Sequence, residues 1–507
     1  MEETIHISGN ALPPIVYAEA SVRSVGGESI FETEKMITHE NVHRYYNKPE
    51  LVDIAVEKLK RAGFEVLNIG SVTINIAASP ETYERTFNTK IIPEERKVIK
   101  SGTMSTATFL DVPETDLSGL IDISNSALAD VLEGVALNEP MYYLSLEPLS
   151  NLSSPTPPTI DSYYLNVPDD ISHLLGADKI HQAGVTGRGI KVVMIDSGWY
   201  RHPYFTQRGY HANPVVLGPG ASNPTHDKEG HGTGESANVF ALAPEVNFTM
   251  VKQGSDIVDP TIPTDNQESV AIVNATGNFN AAVELNPHVI SCSWGFDERH
   301  QPPLSAAEKT LSAAIADAVS QGICVVFSAG NGHFAFPGQH PDVISAGGVY
   351  VSENGSMQAS NYASGFKSPL FPGRLVPDIC GLVGMQPRAQ YIMLPVESGD
   401  NLDKEEANID PRSNSSDVDG TFPNDGWARF SGTSAAAPQL AGICALLKQV
   451  NPSLSPQKIK EILIRTATDI TEGQNFQGEF AQTGRDLATG FGLAHAERAV
   501  QMARNLH

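Results

Sequence analysis

After residue 160 the chain alternates short, almost wholly apolar runs (IKVVMID, VISCSW, ICVVFSAG, VISAGGV) with helical segments such as LSAAIADAVSQG. Strands that are apolar on both faces need cover on both faces, and parallel strands joined by crossover helices supply it. The expected fold class is therefore α/β, a mostly parallel sheet flanked by helices over residues 161–507. Functional sites in such sheets gather at the carboxyl ends of the strands. A closing pair of helices is readable in SPQKIKEILIRTA and AHAERAVQMARNL.

Residues 20–98 follow another rhythm: strand, helix, strand, strand, helix, strand. KPELVDIAVEKLKRAGF has helical apolar spacing, FEVLNIG and VTINIAAS read as strands, and SPETYERTF carries a serine helix-start signal. That order predicts a small α+β domain of the split βαβ kind over residues 1–150. The segment LSNLSSPTPPT, residues 149–159, is rich in Pro, Ser and Thr, so the connection is placed at 151–160 and expected to be extended and solvated.

Charge narrows the partners. The 507 residues hold 59 acidic against 34 basic side chains, a net charge of -25, which repels phosphate backbones and anionic membranes. Neither nucleic acid nor a membrane is an expected partner, and no stretch approaches the roughly 18 apolar residues that a span requires. Cys292, Cys324, Cys380 and Cys444 stand singly in apolar runs without metal-ligand spacing and read as buried thiols. MEETIHISGN has neither a basic region nor an apolar one, so a cytoplasmic location is expected. Glu397 to Asp425 is densely acidic and reads as an exposed inserted loop. Within it, SDVDGTFPNDG has oxygen-rich spacing without the terminal glutamate of a calcium loop, leaving a structural calcium as an alternative to a solvated loop.

Four short motifs carry chemistry together. IKVVMID ends on Asp196 before Ser197-Gly198, which alone is an ordinary turn. GHGTGESANVFALAP puts His231 at the start of a helix, and FSGTSAAAPQLAGICALL puts Ser434 at the start of another, where a serine alone is as much a helix cap as a nucleophile. VVFSAGNG ends a buried strand on Gly330-Asn331-Gly332, and the Asn331 amide can donate to an oxyanion. Serine, histidine and aspartate together supply a nucleophile, a base near neutral pKa and a carboxylate that fixes the imidazole tautomer.

These motifs, over about residues 170–507, resemble the subtilisin-like serine peptidases, whose catalytic residues follow the order Asp, His, Ser along the chain. The resemblance implies an endopeptidase acting on protein or peptide substrates, with no cofactor needed for chemistry. It assigns Ser434 as nucleophile, His231 as base, Asp196 as its orienting carboxylate and Asn331 to the oxyanion hole. It also makes Ser293, Trp294, Gly295, Ser328, Ala329 and Gly330 walls of the substrate cleft. Sedolisin-type peptidases share SGTS but use a carboxylate base, which His231 disfavours here. Yet GFEVLNIGSVTINIAASPETYERTFNTKI is similar to sedolisin-group propeptides, which implies a self-inhibited precursor with its own N-terminal domain as partner. Gly234 and Gln439 stand where the subtilisin-like family usually has histidine. Two other classes share parts of the pattern: a catalytically silent binding module on the same fold, and an ester hydrolase, whose GxSxG elbow is missing around Ser434.

Overall fold

The computed structural model describes residues 12–100, 103–141, 153–160, 162–254, 271–272, 274–297, 304–386, 391–407 and 419–506. Its N-terminal body runs β1 (Val16–Val22), α1 (Pro49–Ala62), β2 (Glu65–Ile69), β3 (Thr73–Ala78), α2 (Pro80–Phe87), β4 (Ile92–Lys100), β5 (Thr103–Asp111), β6 (Leu120–Ile121), β7 (Leu132–Leu137) and β8 (Pro140–Met141). Five of these strands form an antiparallel sheet in the order β2-β3-β1-β7-β6. Alternation along β1 sends Val16, Ala18, Ala20 and Val22 into a core with Leu59, Tyr83 and Phe87, and turns Tyr17, Glu19 and Ser21 to the opposite face. The strand expected near residue 98 is β4, but it pairs with β5 in a separate hairpin, and β7 closes the sheet in its place. Glu94, Glu95, Arg96 and Lys97 leave β4 no apolar face to bury there.

The second body begins with β9 (Leu165–Asn166), α3 (Asp169–Leu174), α4 (Asp178–Gln182), β10 (Lys191–Asp196), α5 (Pro203–Gln207), β11 (Val216–Leu217), α6 (His231–Leu242), β12 (Asn247–Lys252) and β13 (Ala271–Ile272). It continues through α7 (Ala275–Glu284), β14 (Val289–Cys292), β15 (Phe296–Asp297), α8 (Ala306–Ser320), β16 (Cys324–Ser328), β17 (Ala335–Phe336), β18 (Ile344–Val351), β19 (Met357–Ala359), β20 (Phe366–Lys367) and β21 (Leu375–Val376). The last elements are β22 (Ile379–Leu382), β23 (Ile392–Pro395), α9 (Asn401–Ala407), β24 (Trp427–Phe430), α10 (Thr433–Val450), α11 (Pro456–Thr466) and α12 (Ala496–Arg504). The main sheet has the order β11-β12-β10-β14-β16-β18-β19, with β22 also beside β18, and every pairing except β18 with β19 is parallel.

Both faces are covered. Val192 and Met194 of β10 pack with α6 and α10 on one side, while Val193 and Ile195 pack with α7 and α8 on the other. Sequential order reverses at β10, whose neighbours are β12 and β14, so Asp196 at its carboxyl end stands at the sheet's switch point. Cys292, Cys324, Cys380 and Cys444 are buried free thiols. Among the described residues no helix is long and apolar enough to cross a membrane.

The N-terminal sheet docks on the outer side of α7 and α8. Ile30, Phe31, Val42, Tyr45 and Val72 form one apolar cluster with Ala306, Ala313 and Ala316. Around it, Asn75 and Asn274 exchange amide hydrogen bonds of 2.7 and 2.6 Å, Tyr46 donates to Asp317 at 2.6 Å, and Lys309 donates to the Phe31 and Thr33 carbonyls. β8 pairs antiparallel with β13, joining the two bodies through backbone.

Two expectations change in detail. The connector is not solvated throughout: Ser154 N donates to the Asp425 carbonyl and the Trp427 indole donates to the Ser154 carbonyl at 2.9 Å, while residues 149–152 lie outside the described residues. The acidic stretch is not simply an exposed loop, because Asp400, Asp403 and Asp419 are buried. Backbone N–H donors explain this: Asp400 accepts from Glu397 and Asp403, Asp403 from Gly399 and Gly426, and Asp419 from Thr421. Residues 416–418 of the calcium-like segment lie outside the described residues.

Candidate active site

β10 delivers Asp196 fully buried, with Oδ1 accepting from the Ser197 N–H and from His231 Nδ1, each at 2.8 Å. His231 opens α6, and an N-terminal clamp holds that end. Asp227 accepts from Gly230 N, Thr233 N, Thr233 Oγ1 and Ser197 Oγ, and Ser197 Oγ in turn accepts from Gly232 N. The unpaired first N–H groups of the helix are thereby satisfied by residues adjoining Asp196 and His231, which fixes the imidazole against the carboxylate. Burial by itself disfavours an imidazolium, but the charge and hydrogen bond of Asp196, with Glu235 and Asp227 adding, hold the His231 pKa above its ordinary value.

Ser434 lies in the first turn of α10. Pro438, four residues on, has no N–H to give to the Ser434 carbonyl, and Ser293 Oγ donates to that carbonyl at 2.8 Å instead. Ser434 Oγ donates to the Ser293 carbonyl at 3.2 Å, so the two serines are locked reciprocally. Asn331 is set by the residue before the serine: its Oδ1 accepts from Thr433 N at 2.9 Å and Thr433 Oγ1 at 3.1 Å. With the carbonyl end held, Nδ2 is the end left to donate beside Gly432, where a Cβ would come within 2.9 Å of it. Gly330 N donates to Thr433 Oγ1, tying the β16 loop to the same helix start.

The other cleft residues divide. Ser293 touches Ser434, and Gly330 touches Thr433. Trp294 sends its ring into the core, edge-on to Phe327, with its indole N–H on the Ile195 carbonyl, so only its backbone is available to a cleft. Gly295 lies under the Phe336 carbonyl, Ala329 is buried with Phe366 and Val376, and Ser328 ends β16 buried. The helices carrying His231 and Ser434 pack closely because Gly442 lacks a side chain: a Cβ there would meet Leu242 Cβ at 2.6 Å. The two departures at 234 and 439 also find reasons. A Cβ on Gly234 would lie 2.1 Å from the Phe430 ring, which itself stands over His231. Gln439 is buried and fully engaged, donating to Asn238 Oδ1 and the Leu382 carbonyl and accepting from Leu382 N.

Sequence reasoning passed over Asp227, Thr433 and Glu235. Glu235 was open to notice as the one acid in an otherwise small and apolar helix, four residues after His231.

The subtilase family profile matches residues 187–492, which include Asp196, His231, Asn331 and Ser434. The chain belongs to the subtilase family. Within it, the chain is similar to M-protease of Shouchella clausii (strain KSM-K16), 27% identical over 66% of this chain and 70% of that protein. Subtilisin Savinase of Lederbergia lenta is 27% identical over 66% of this chain and 99% of that protein. A structural likeness to fervidolysin from Fervidobacterium pennivorans, a keratinolytic enzyme related to subtilisin, covers 97% of this chain and 62% of that one at a TM-score of 0.55 and 18% identity, and speaks for the fold. The subtilase is thus a subtilisin-like serine endopeptidase. Subtilases need no cofactor for catalysis, and among the described residues no group of three His, Cys, Asp or Glu could hold a metal ion.

These relatives correct the cytoplasmic expectation. Subtilisins and fervidolysin are secreted extracellular proteases, so a cytoplasmic location does not follow for a subtilase. The charge and hydropathy of ten residues test for one kind of export signal and do not report the compartment.

Proposed function

We propose that this subtilase cleaves protein or peptide substrates with Ser434 as nucleophile, His231 as general base and Asp196 as the carboxylate that fixes the base. The observation that carries the reading is the 2.8 Å contact from His231 Nδ1 to a fully buried Asp196. It commits Nδ1 to the carboxylate as a donor and leaves Nε2 to take a proton. As Ser434 Oγ attacks a carbonyl carbon, its proton passes to Nε2, and the imidazolium is stabilised by Asp196. Negative charge then grows on the substrate oxygen, where Asn331 Nδ2 and the Ser434 N–H at the start of α10 donate. Collapse returns the proton to the leaving amine, and water repeats the sequence on the acyl-enzyme. The backbone of Ser293 to Gly295 and of Ser328 to Gly330 forms the walls against which the substrate strand lies.

The N-terminal body, residues 1–150, acts as an inhibitory and folding-assisting propeptide domain, removed by a cut in or near 149–159. Its docking on α7 and α8 and the β8–β13 pairing support that role. Ser154, anchored on Asp425 and Trp427, favours a cut ahead of it.

Ser434→Ala tests the chemistry: both peptide cleavage and fluorophosphonate labelling are lost. Cleavage within tenfold of the native rate would overturn the assignment.

A further inference from the structure

The His231 imidazole has a second carboxyl neighbour that the proposed triad does not use. Glu235, one turn along α6, is fully buried, and its Oε1 lies 4.0 Å from His231 Nε2, on the opposite side of the ring from Asp196. Among the described residues Oε1 has no hydrogen-bond partner, while Oε2 accepts from Asn238 Nδ2 at 2.9 Å. Asn238 accepts from Gln439 at 3.2 Å, and Gln439 is bound to the backbone of β22, so the carboxyl group is held at the end of a fixed chain of amides. The departures noted in the sequence surround this arrangement: Gln439 anchors it, and Gly234 adjoins it.

We propose that Glu235 is a positioning residue for the general base, a second carboxyl group that faces Nε2 across 4.0 Å and whose protonation is coupled through charge to that of His231. The argument is one of charge. A fully buried carboxylate without a counterion is costly, and among the described residues no lysine or arginine pairs with Glu235. Asp196 on β10 and Asp227 ahead of α6 add negative charge around His231, and the Tyr362 phenol is a further acidic group near Glu235. α3, also against α6, carries Asp169, Asp170 and His173 without pairing to Glu235, and the β23 stretch IMLP has no titratable side chain. Among the described residues the one cation facing Oε1 is an imidazolium at Nε2. Two arrangements with the same proton count therefore satisfy the pocket: neutral imidazole with a protonated Glu235, and imidazolium with ionised Glu235. Burial raises the Glu235 pKa and the His231 charge lowers it, while ionised Glu235 raises that of His231, as reciprocity requires. The base becomes fully competent only after the pair has lost a second proton, which moves the acid limb of activity to higher pH.

This rests on His231 being the base, so the test is read on a catalytically silent chain. In the full-length Ser434→Ala protein, the low-field proton on His231 Nδ1 is followed by NMR against pH. Two titration steps are expected; a single step overturns the proposal. Adding Glu235→Gln, which keeps the bond from Asn238, should merge the steps into one and lower the midpoint by about one unit, tenfold in proton affinity. Glu235→Met, of similar length, should do the same, and Glu235→Asp should retain an upward shift. An unmoved midpoint in a folded neutral variant overturns the proposal, since loss of packing alone would not spare the charged variant. Failure of the base assignment shows separately, as unimpaired fluorophosphonate labelling of a His231→Ala chain.

Discussion

Glu19 makes the hold of the N-terminal body on the catalytic one depend on pH. It lies on the face of β1 turned away from the domain's own core, fully buried, accepting from Thr73 Oγ1 and from Asn75 Nδ2 at 2.6 Å each, and Asn75 continues to Asn274 on the other body. Burial outweighs the two hydrogen bonds and raises its pKa from 4.5 to about 7. The docked form therefore binds this proton more tightly than the opened form, where Glu19 returns to water. Its contribution to docking is fully present below about pH 4.5 and is lost as pH rises through about 7. Moving the pKa from 4.5 to about 7 corresponds to about 3 kcal/mol, or roughly 300-fold in the opening equilibrium. Glu19→Gln removes the titration, and the Thr73 hydroxyl can reverse to accept from the amide. Native-state hydrogen exchange of the full-length Ser434→Ala chain, read on peptides covering β1 and β3 and corrected for intrinsic exchange, should show opening made easier from pH 5 to 8. In Glu19→Gln that dependence should flatten. Parallel profiles in the two chains would refute the reasoning, because every other contact at the interface, such as His39 with Asp342, is common to both.

Asn331→Ala should lower kcat by about 10²–10³ with little change in KM, a magnitude measured in a subtilisin and so borrowed from the family, because an oxyanion exists only near the transition state. A change confined to KM in steady-state peptide hydrolysis would make Asn331 a ground-state binding residue. Gly234→His, which restores the usual family residue, should destabilise the fold by about 1–3 kcal/mol or more in denaturant unfolding, because even its Cβ would strike the Phe430 ring. Adding Phe430→Ala should recover part of that loss; no recovery would place the clash elsewhere.

Much of this subtilase is legible in one dimension because its strongest signals are local. Apolar runs that cannot face water require a two-sided parallel sheet, and GHGTG, SAGNG and GTSAAAP set His231, Asn331 and Ser434 at element ends through local pattern alone. The apolar run IKVVMI likewise set Asp196 at the end of a strand, which is β10. What the sequence could not decide is what depends on residues far apart in the chain. The burial of Asp400 and Asp403 rests on N–H groups supplied by a folded loop, and the reason for Gly234 is a ring 196 positions later. Trp294, expected at the cleft, turns its ring into the core because Phe327 and the Ile195 carbonyl offer it a place there. Glu235 stands out in the sequence as the one acid of α6, but its burial does not; the packing of α10, α3 and the sheets against α6 removes its water and makes it a desolvated neighbour of the base.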